Sequence, residues 1–338
     1  MRKKWAIIIG LSLVILVGLI ALFQRPLNQL RSLATLTRID NHPLYTMRYY
    51  GDYGFGDFLQ QGAQANSYSE SYILKAAELW ACTCFTSLNR EGDGIFGRNF
   101  DWHVHPALIL FTDPPDGYAS VSIVDISYLG YGRSDPAWID RTRLLRAPYL
   151  PFDGMNERGV TIGMMAVPSA DPGEDAQKMT ISGLQAIRLM LDYAASTEEA
   201  LSLLHNYNVD FEGGPPLHYL ISDPSGKSAT VEFVDGEMVI LRNRQSWQVA
   251  TNFVISTSEI EGARSPCRRY RQVYEILERA KGDISQEEAM ALLERVSQSG
   301  SHPTIWSAAY NMTTGNLQVV MGRKYDQVHK LRLDVHVP

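Results

Sequence analysis

One stretch of 21 residues, from Cys82 to Trp102, constrains this chain more than any other part of the sequence. It reads CTCFTSLNREGDGIFGRNFDW and opens on a cysteine. Its centre, residues 89–94, is rich in asparagine, aspartate and glycine, which favours a hairpin turn. The flanking residues 83–88 and 95–101 are then predicted to be two antiparallel strands. The sequence therefore predicts a tight β-hairpin with a cysteine at the start of its first strand.

Two charged residues near the end of the second strand would return beside that cysteine. Arg98 and Asp101 lie 16 and 19 positions beyond Cys82, and a hairpin brings them back to it. Strand alternation places Arg98 and Phe100 on one face. Asn99 and Asp101 then lie on the opposite face. A thiol becomes a good nucleophile when a nearby cation lowers its pKa and a base takes its proton. The hairpin therefore predicts nucleophilic chemistry centred on Cys82.

The cysteine, the arginine and the aspartate have the same spacing in one known group of enzymes. The stretch resembles the cysteine N-terminal-nucleophile amide hydrolases, which include choloylglycine (bile salt) hydrolases, penicillin V acylases, acid ceramidase-like enzymes and isopenicillin-N acyltransferases. Bile salt hydrolases carry a Cys-Thr start and a Gly-Arg-Asn-x-Asp run at this spacing. A second similar motif, DGMNERG, covers residues 153–159. We interpret it as a turn that leads into a strand over 160–167 rather than as a catalytic motif.

The resemblance implies an α+β fold, a four-layer αββα sandwich of the N-terminal-nucleophile type. Runs of strands and runs of helices follow one another in the sequence, which also favours antiparallel sheets with helices packed outside. Two capping boxes, Ser196 with Glu199 and Ser285 with Glu288, predict helix starts. In this family the nucleophilic cysteine is the first residue of the mature chain. The resemblance thus implies a cut just before Cys82.

The resemblance assigns five residues to the predicted site. Cys82 is the nucleophile, with its own α-amino group as the base. That amine titrates near pH ~8 when unperturbed, so a small shift suits it to neutral pH. Arg98 is the cation beside the thiolate, and Asp101 orients the α-amine. Asn252, after a predicted strand, would donate to the oxyanion, a contribution of roughly 3 kcal/mol for one such donor. Arg268, in the first turn of a predicted helix, is assigned a supporting charge.

Two residue choices have alternatives, and one position departs from the family. Cys84 is the rival nucleophile because it would share the face of Cys82. Only Cys82 has the family's spacing, so we interpret Cys84 as a small buried side chain. Arg98 could instead form a structural ion pair with Asp101. Bile salt hydrolases carry an asparagine of the site where this chain has Ala166. That departure argues against bile salts as substrate and favours a backbone N–H in the oxyanion hole.

The N-terminal segment is typical of a membrane-targeted protein. Residues 1–4 are Met-Arg-Lys-Lys, and the next 19 residues, 5–23, carry no charge. As a helix this run reaches roughly 28 Å at ~1.5 Å per residue, close to the ~30 Å hydrocarbon core of a bilayer. The basic tetrapeptide predicts that this end stays in the cytoplasm and the remainder lies outside it. We predict a single-pass membrane anchor over residues 1–23. The alternative is a cleaved signal peptide and a secreted protein.

Three parts of the chain are predicted in all. They are the anchor or signal segment 1–23, a pro-segment or linker 24–81, and the hydrolase domain 82–338. A net charge of −6 provides no general basic surface, so no nucleic-acid partner is predicted. No metal or other cofactor is predicted. His103 and His105 would share one face of a strand, a spacing that can bind a metal, but a metal-dependent amidohydrolase would need further ligands.

The predicted function is hydrolysis of a linear, non-peptide C–N amide through a thioester on Cys82. The expected partner is a small N-acyl amide, such as an N-acyl amine or N-acyl amino acid. An acyltransferase of the isopenicillin-N type is one alternative, because there an amine instead of water attacks the thioester. A catalytically silent, membrane-tethered binding protein on the same fold is the other. The sequence predicts no oligomeric state.

Overall fold

The computed structural model of this chain describes residues 23–61, 81–132, 134–211, 214–260 and 265–337. Nearly all of the predicted anchor, residues 1–22, lies outside these ranges. Within them, no helix is both long enough and apolar enough to cross a membrane. The anchor therefore stays a prediction from the sequence.

Strands are the main regular elements of the described residues. The strands are β1 (Thr37–Asp40), β2 (Leu44–Arg48), β3 (Ala81–Leu88), β4 (Gly94–Asp101), β5 (Ala107–Thr112), β6 (Ser120–Asp125), β7 (Asp153–Asn156), β8 (Thr161–Ala166), β9 (Met179–Ser182), β10 (Tyr207–Asp210), β11 (Leu217–Ser222), β12 (Ser228–Val234), β13 (Glu237–Arg242), β14 (Trp247–Thr251), β15 (Thr304–Asn311), β16 (Asn316–Met321) and β17 (His329–Arg332). The α-helices are α1 (23–34), α2 (Phe55–Gln61), α3 (Gly183–Tyr193), α4 (Thr197–His205), α5 (Arg268–Ala280) and α6 (Gln286–Arg295). Two further segments, Ile126–Leu129 and Trp138–Tyr149, are 3₁₀ helices.

Two large sheets form the middle of the fold. One has nine strands in the order β1-β2-β5-β6-β7-β8-β11-β12-β13, and the other has six in the order β14-β3-β4-β15-β16-β17. Helices α3 and α4 contact the larger sheet, whereas α5 and α6 contact the smaller one. Strands β3 and β14 contact β8 across the space between the sheets. The layers are therefore α, β, β and α, and the α+β prediction is confirmed.

Alternate residues of β4 pack into two separate apolar clusters. Phe96 and Phe100 belong to the cluster that includes side chains from both sheets. Ile95 belongs to the second cluster, under α5 and α6, where it joins Val273 and Leu293. Because side chains alternate along a strand, one face of β4 looks into the space between the sheets and the other looks towards these helices.

The hairpin that carries the predicted nucleophile forms as expected. Strands β3 and β4 pair antiparallel, with Cys82 opposite Phe100 and Cys84 opposite Arg98. The side chain of Asn89 orders the turn by accepting two backbone N–H groups, at 3.0 and 2.8 Å. Directly paired residues of two strands share a face. Both thiols and Arg98 therefore lie on the face that looks between the sheets.

Both predicted serine caps form at the starts of helices, but only one of the two capping boxes is complete. At α6, Ser285 accepts from the Glu288 backbone N–H and Glu288 bonds back to Ser285, so the capping box is complete. At α4, Ser196 accepts from the Glu199 backbone N–H. The Glu199 carboxylate bonds instead to the backbone N–H of Ala195, at 2.8 Å. The serine thus fixes the start of α4 without the reciprocal bond.

The segment upstream of Cys82 contributes two strands, β1 and β2, to the nine-stranded sheet. Strand β2 pairs in parallel with β5, with Leu44 opposite Ala107, and β1 pairs with β2. Leu44 and Met47 are buried in the core. The sequence had not predicted these upstream strands, and the division of the chain at residues 81 and 82 stays a prediction.

A buried polar network also ties this segment to α3. Arg188 is fully buried, and its Nη1 donates to Asp192 at 3.0 Å and to the Tyr53 hydroxyl at 3.2 Å. The same nitrogen donates to Thr112 and Ser120, each at 3.1 Å. The Tyr53 hydroxyl donates to Asp192 at 2.7 Å. Burial raises the pKa of Asp192 to about 6, against the attraction of Arg188. The Tyr53 hydroxyl is thus hydrogen-bonded to both members of the buried Arg188–Asp192 ion pair.

Candidate active site

Cys82 lies at the second position of β3 and is buried. Its backbone N–H donates to Oδ1 of Asn252, which follows the end of β14. Its carbonyl oxygen accepts a bond from Nη1 of Arg269, in the first turn of α5. Two elements distant in sequence therefore converge on both backbone groups of the predicted nucleophile.

Arg98 is fully buried beside both thiols. Its Nη1 lies 3.7 Å from Sγ of Cys84, and its Nε lies 3.5 Å from Oδ2 of Asp153. Burial alone would lower the pKa of this guanidinium, but its interactions with the neighbouring side chains of Cys82, Cys84 and Asp153 raise that pKa. Its Nη2 is buried without a hydrogen-bond partner among the described residues. Arg98 thus keeps a donor for an additional acceptor.

Cys84 occupies a packed core position, as interpreted from the sequence. Burial raises the pKa of its thiol to about 12, although the charge of Arg98 opposes this. Strand β8 approaches so closely that a Cβ on Gly163 would sit 2.7 Å from its Sγ. A thiol with so high a pKa carries little thiolate at neutral pH, so Cys84 is a poor nucleophile.

Asp153 contacts the predicted site, although the sequence did not indicate this. Its motif was interpreted as a turn, but the residue begins β7 and its side chain is fully buried opposite Arg98. Trp306 Nε1 donates to Oδ2 at 3.0 Å, and the Tyr310 hydroxyl donates to Oδ1. Both donors come from β15 of the other sheet. The carboxylate therefore links the two sheets and fixes the position of Arg98 between them.

Arg269, rather than the predicted Arg268, contacts the site. The side chain of Arg268 is exposed, so its supporting charge stays a prediction. Arg269 Nη1 donates to Thr83 Oγ1 at 2.8 Å, and its Nη2 donates to Asn252 Oδ1 at 2.9 Å. The same guanidinium lies 3.7 Å from Asp101. One side chain thus joins the nucleophile strand, the Asn252 turn and the acidic residue.

The period of α5 explains which arginine faces inward. Arg269 lies four and eight positions before Val273 and Leu277, which are both buried. Residues at this spacing share one face of a helix. Arg268 lies three and seven positions before Arg271 and Glu275, which are both exposed. The sequence therefore contained a signal for Arg269 in its helical pattern.

Asn252 has a defined amide orientation. Its two partners on one side, the Cys82 N–H and the Arg269 guanidinium, are both donors, so the amide oxygen must face them. Its Nδ2 donates to the carbonyl oxygen of Ala166 at 2.8 Å. Ala166 thus contributes its backbone to this contact. An amide NH₂ has two donors, and among the described residues only the Ala166 carbonyl accepts from this one, which leaves an N–H for another acceptor. The oxyanion role stays a prediction.

Asp101 lies on the opposite face of β4 from Arg98, as strand alternation predicts. Its Oδ1 accepts from the Thr304 hydroxyl at 2.5 Å and its Oδ2 accepts from Gln298 at 2.9 Å. Burial raises the pKa of Asp101, and the nearby charge of Arg269 opposes that rise. The alternative Arg98–Asp101 ion pair is therefore wrong, because the ion-pair partner of Arg98 is Asp153.

A buried histidine holds the turn that carries Asn252. His218 Nε2 lies 2.7 Å from the Thr251 carbonyl oxygen, and its Nδ1 lies 3.2 Å from Glu232. Glu232 also accepts two backbone N–H groups of residues 255–256, at 2.6 and 2.8 Å. Burial would raise the pKa of Glu232, but these bonds hold it below its usual value. Both ring nitrogens of His218 therefore lie against oxygen atoms, one on each side of the ring. The His218–Glu232 pair thus holds the turn both before and after Asn252.

Glu232→Gln is expected to lower kcat about tenfold while the protein remains folded, because the new NH₂ group opposes backbone N–H donors and costs roughly 1–3 kcal/mol. The measurement is kcat and thermal unfolding on the same samples, with any amide that the protein turns over. Glu237→Gln, at an exposed position of the neighbouring strand β13, is the matched control. Wild-type kcat in Glu232→Gln would show that the His218–Glu232 pair does not position Asn252.

The two histidines after β4 do not form a metal centre in the described residues. His105 Nδ1 pairs with Asp125 at 2.8 Å. The His103 ring lies near Trp102 and His302, at centroid distances of 5.3 and 5.1 Å. No group of three or more His, Cys, Asp or Glu residues in the described ranges could hold a metal ion. The metal-dependent alternative gains no support from this geometry.

Comparison with known proteins identifies the family. A model of the linear amide C–N hydrolases, choloylglycine hydrolase family, matches residues 82–253, just over half of the chain. The chain belongs to the choloylglycine hydrolase family. It is therefore a hydrolase of C–N bonds in linear amides and a member of the N-terminal-nucleophile group. The family match begins at Cys82, the residue predicted to become the first of the mature chain.

Solved structures of this family share the fold. A variant of conjugated bile acid hydrolase from Clostridium perfringens aligns with a TM-score of 0.55 at 18% identity, covering 75% of this chain and 92% of its own. Penicillin V acylase from Agrobacterium tumefaciens aligns with a TM-score of 0.53 at 19% identity, covering 75% of this chain and 87% of its own. No curated protein matches the sequence significantly. At these identities the solved structures support the choloylglycine hydrolase fold alone.

Proposed function

We propose that this enzyme cleaves a linear, non-peptide amide through a thioester on Cys82. The observation that carries the proposal is the environment of that residue. Both of its backbone groups are held, by Asn252 and by Arg269. The charge of the buried Arg98 acts on its thiol. A cation of this kind favours the thiolate, which is the nucleophilic form.

The proposed reaction begins at the Ala81–Cys82 peptide bond. The Cys82 thiol attacks the carbonyl carbon of Ala81, and the C–N bond breaks to free the α-amine at the atom that now donates to Asn252. Water hydrolyses the resulting thioester and restores the thiol. The amine takes the proton of the Cys82 thiol, and the thiolate attacks the substrate carbonyl carbon. The oxyanion accepts from the second N–H of Asn252 and from a backbone N–H. The tetrahedral intermediate collapses, the C–N bond breaks, and the leaving amine takes the proton from the α-ammonium. Water then hydrolyses the thioester and restores the thiol.

Arg269 gives the α-amine a suitable pKa in this proposal. Its guanidinium touches the carbonyl oxygen of Cys82 and the side chain of Asn252. A positive charge this close disfavours a second one on the amine and lowers the pKa of that amine. The amine is then neutral, and able to act as a base, near pH 7. Asp101 would orient the amine from the same side, since it lies 3.7 Å from Arg269.

The proposed substrate is a small N-acyl amine or N-acyl amino acid. The solved relatives are named for conjugated bile acid and for penicillin V. Where bile salt hydrolases have an asparagine, this chain has Ala166, whose carbonyl accepts from Asn252. One side-chain donor of the bile salt site is therefore missing, which disfavours bile salts as substrates.

Trapping of the acyl-enzyme tests this proposal directly. The purified protein is incubated with fluorogenic N-acyl amides of different chain length, quenched in acid and analysed by intact mass and peptide mapping. We expect the mass of one acyl group on the peptide that begins at Cys82, removable by hydroxylamine, with release of the fluorescent amine. Amine release without any acyl adduct on Cys82, even at short reaction times, would contradict the thioester mechanism.

After the cut, the upstream fragment is expected to stay bound to the catalytic part. Strand β2 remains hydrogen-bonded to β5, and Tyr53 keeps its buried contacts with Arg188 and Asp192. Native size exclusion followed by denaturing electrophoresis should therefore show one peak that contains two fragments in equal amounts. Elution of the fragment that begins at Cys82 alone, fully active, would contradict this expectation.

We also propose that residues 1–23 anchor the enzyme in the cell membrane with the catalytic part outside the cytoplasm. The support is the basic tetrapeptide before 19 uncharged residues. Protease added to intact cells should then degrade the catalytic part, and alkaline carbonate should leave the chain in the membrane pellet. Release of a mature chain into the medium would instead support the cleaved signal peptide.

A further inference from the structure

Large exposed apolar side chains of the described residues occur at two places. Phe23, Leu27 and Leu30 on α1 are 56, 61 and 57% exposed. Trp138 and Ile139, which open the 3₁₀ helix, are 63 and 83% exposed. Single exposed apolar residues are common on soluble proteins, but clustered ones indicate an interaction surface.

The three residues on α1 form one stripe that leaves the protein core. Their spacing of four and three positions places them on a single helix face. The stripe continues to Leu33, which is buried. Towards its other end, the stripe reaches Phe23, the last of the 19 uncharged residues 5–23. The apolar face therefore runs from the core to the start of the described chain, where the predicted anchor ends.

The two exposed patches lie on adjoining elements. Arg25 of α1 and Tyr149, at the end of the 3₁₀ helix, both lie within 4 Å of the position that a Cβ on Gly54 would occupy. Just before the same 3₁₀ helix, Asp135 accepts bonds from Arg38 and Tyr45, at 2.8 and 2.6 Å. The residues that lead into the 3₁₀ helix at Trp138 thus contact β1 and β2, the two strands that follow α1 in the chain.

Positive charge surrounds both patches in an otherwise acidic chain. Residues 23–34 contain two arginines and no acidic residue, and residues 138–149 contain three arginines and one aspartate. Each element thus carries a net charge of +2, whereas the whole chain carries −6. The guanidinium of Arg141 lies over the Trp138 ring at 5.2 Å. Tryptophan flanked by arginine is typical of a lipid headgroup interface.

We propose that α1 and the Trp138–Ile139 end of the 3₁₀ helix together dock on the surface of an anionic lipid bilayer. The α1 stripe would extend into the interface from the point where the uncharged N-terminal run ends. The arginines would contact anionic headgroups, which attract basic residues close to the bilayer surface. A second copy of the chain would bring like charges together, which disfavours it as the occupant. The docking does not require that the N-terminal run is retained.

The test places a polarity-sensitive bimane label at Ile139→Cys or Leu27→Cys in the full chain. The background is Cys82→Ala with Cys267→Ser, because Cys82 is the proposed nucleophile and Cys267 is only half-buried. Arg90→Cys, in the β3–β4 turn with an 80% exposed side chain, is the control. The protein is mixed with, or reconstituted in, vesicles of phosphatidylcholine and phosphatidylglycerol. We expect blue-shifted emission at 27 and 139, and loss of about half of it to brominated lipid, since docked residues lie roughly 5–10 Å deep.

The control label at position 90 should keep its aqueous emission in the same vesicles. Aqueous emission at both 27 and 139 would overturn the proposal. Quenching at 27 alone would restrict the lipid contact to α1 and overturn the two-element surface. A blue shift at 139 that brominated lipid does not quench, and that persists in detergent, would place another protein copy there and also overturn it.

Discussion

Cys82→Ala is expected to abolish both the cut before residue 82 and amide hydrolysis, with a loss of activity of roughly 10³-fold or more. The reason is that one thiolate performs both steps in the proposed mechanism. The measurement is intact mass for the cut and amine release for hydrolysis. The variant should still fold, because Cys82 contributes only one small side chain to the core cluster.

Cys84→Ala is the matched control for this prediction. Cys84 lies two residues away on the same strand face, is equally buried, and has a thiol pKa raised to about 12. We expect a cut chain with activity within about tenfold of wild type and a stability loss of roughly 1–2 kcal/mol from the small cavity. Normal activity in Cys82→Ala together with its loss in Cys84→Ala would assign the nucleophile to Cys84.

Arg269→Ala is expected to lower kcat/KM by about 10²–10³-fold, comparable to the removal of one oxyanion donor. The substitution leaves the Cys82 carbonyl and Thr83 without their shared donor and removes a charge from beside Asp101. Arg268→Ala, one position away and exposed, should stay within about twofold of wild type, as surface substitutions usually do.

The pH profile separates a charge effect of Arg269 from a structural one. A cation beside the α-amine lowers the pKa of that amine, so its removal raises the pKa. Since the neutral amine is the base, the acid limb of kcat/KM in Arg269→Ala should move to higher pH, and Arg269→Lys should restore much of its position. An unmoved acid limb, or equal damage in Arg268→Ala, would contradict the role proposed for Arg269.

The hairpin that carries Cys82 and Arg98 could be predicted because its signals are local. A turn sequence between two alternating segments fixes the register that places Cys84 opposite Arg98. The capping box at Ser285 likewise marks the start of α6 within four residues of sequence. In each case the interacting groups are near one another along the chain, so pattern alone is informative.

The residues that were missed depend on partners far away in sequence. Asp153 receives its bonds from Trp306 and Tyr310, and no pattern near it identifies them. Strand β2 joins the sheet by pairing with β5, which follows about 60 residues later in the chain. The five residues of β2 do not themselves show the alternation of polar and apolar residues that predicts a strand. His218 has no neighbouring motif either, since its contacts are with Thr251 and Glu232.

Arg268 and Arg269 are adjacent, and the resemblance to the family alone assigns the supporting charge to Arg268. The helix period favours Arg269, because Val273 and Leu277 continue its face into the core. A helical-face criterion applied to the sequence would therefore have selected the residue that contacts Cys82.

The pairing of β2 with β5 changes how the mature enzyme should melt. Once the chain is cut before Cys82, β1 and β2 belong to one polypeptide and β5 to another, so unfolding is also dissociation. The melting midpoint should then rise with protein concentration, whereas that of the uncut Cys82→Ala chain should not. Dilute mature enzyme should fail to recover after heating, because its two pieces diffuse apart. With the proposed cut, loss of this sheet on unfolding would therefore be irreversible in dilute solution.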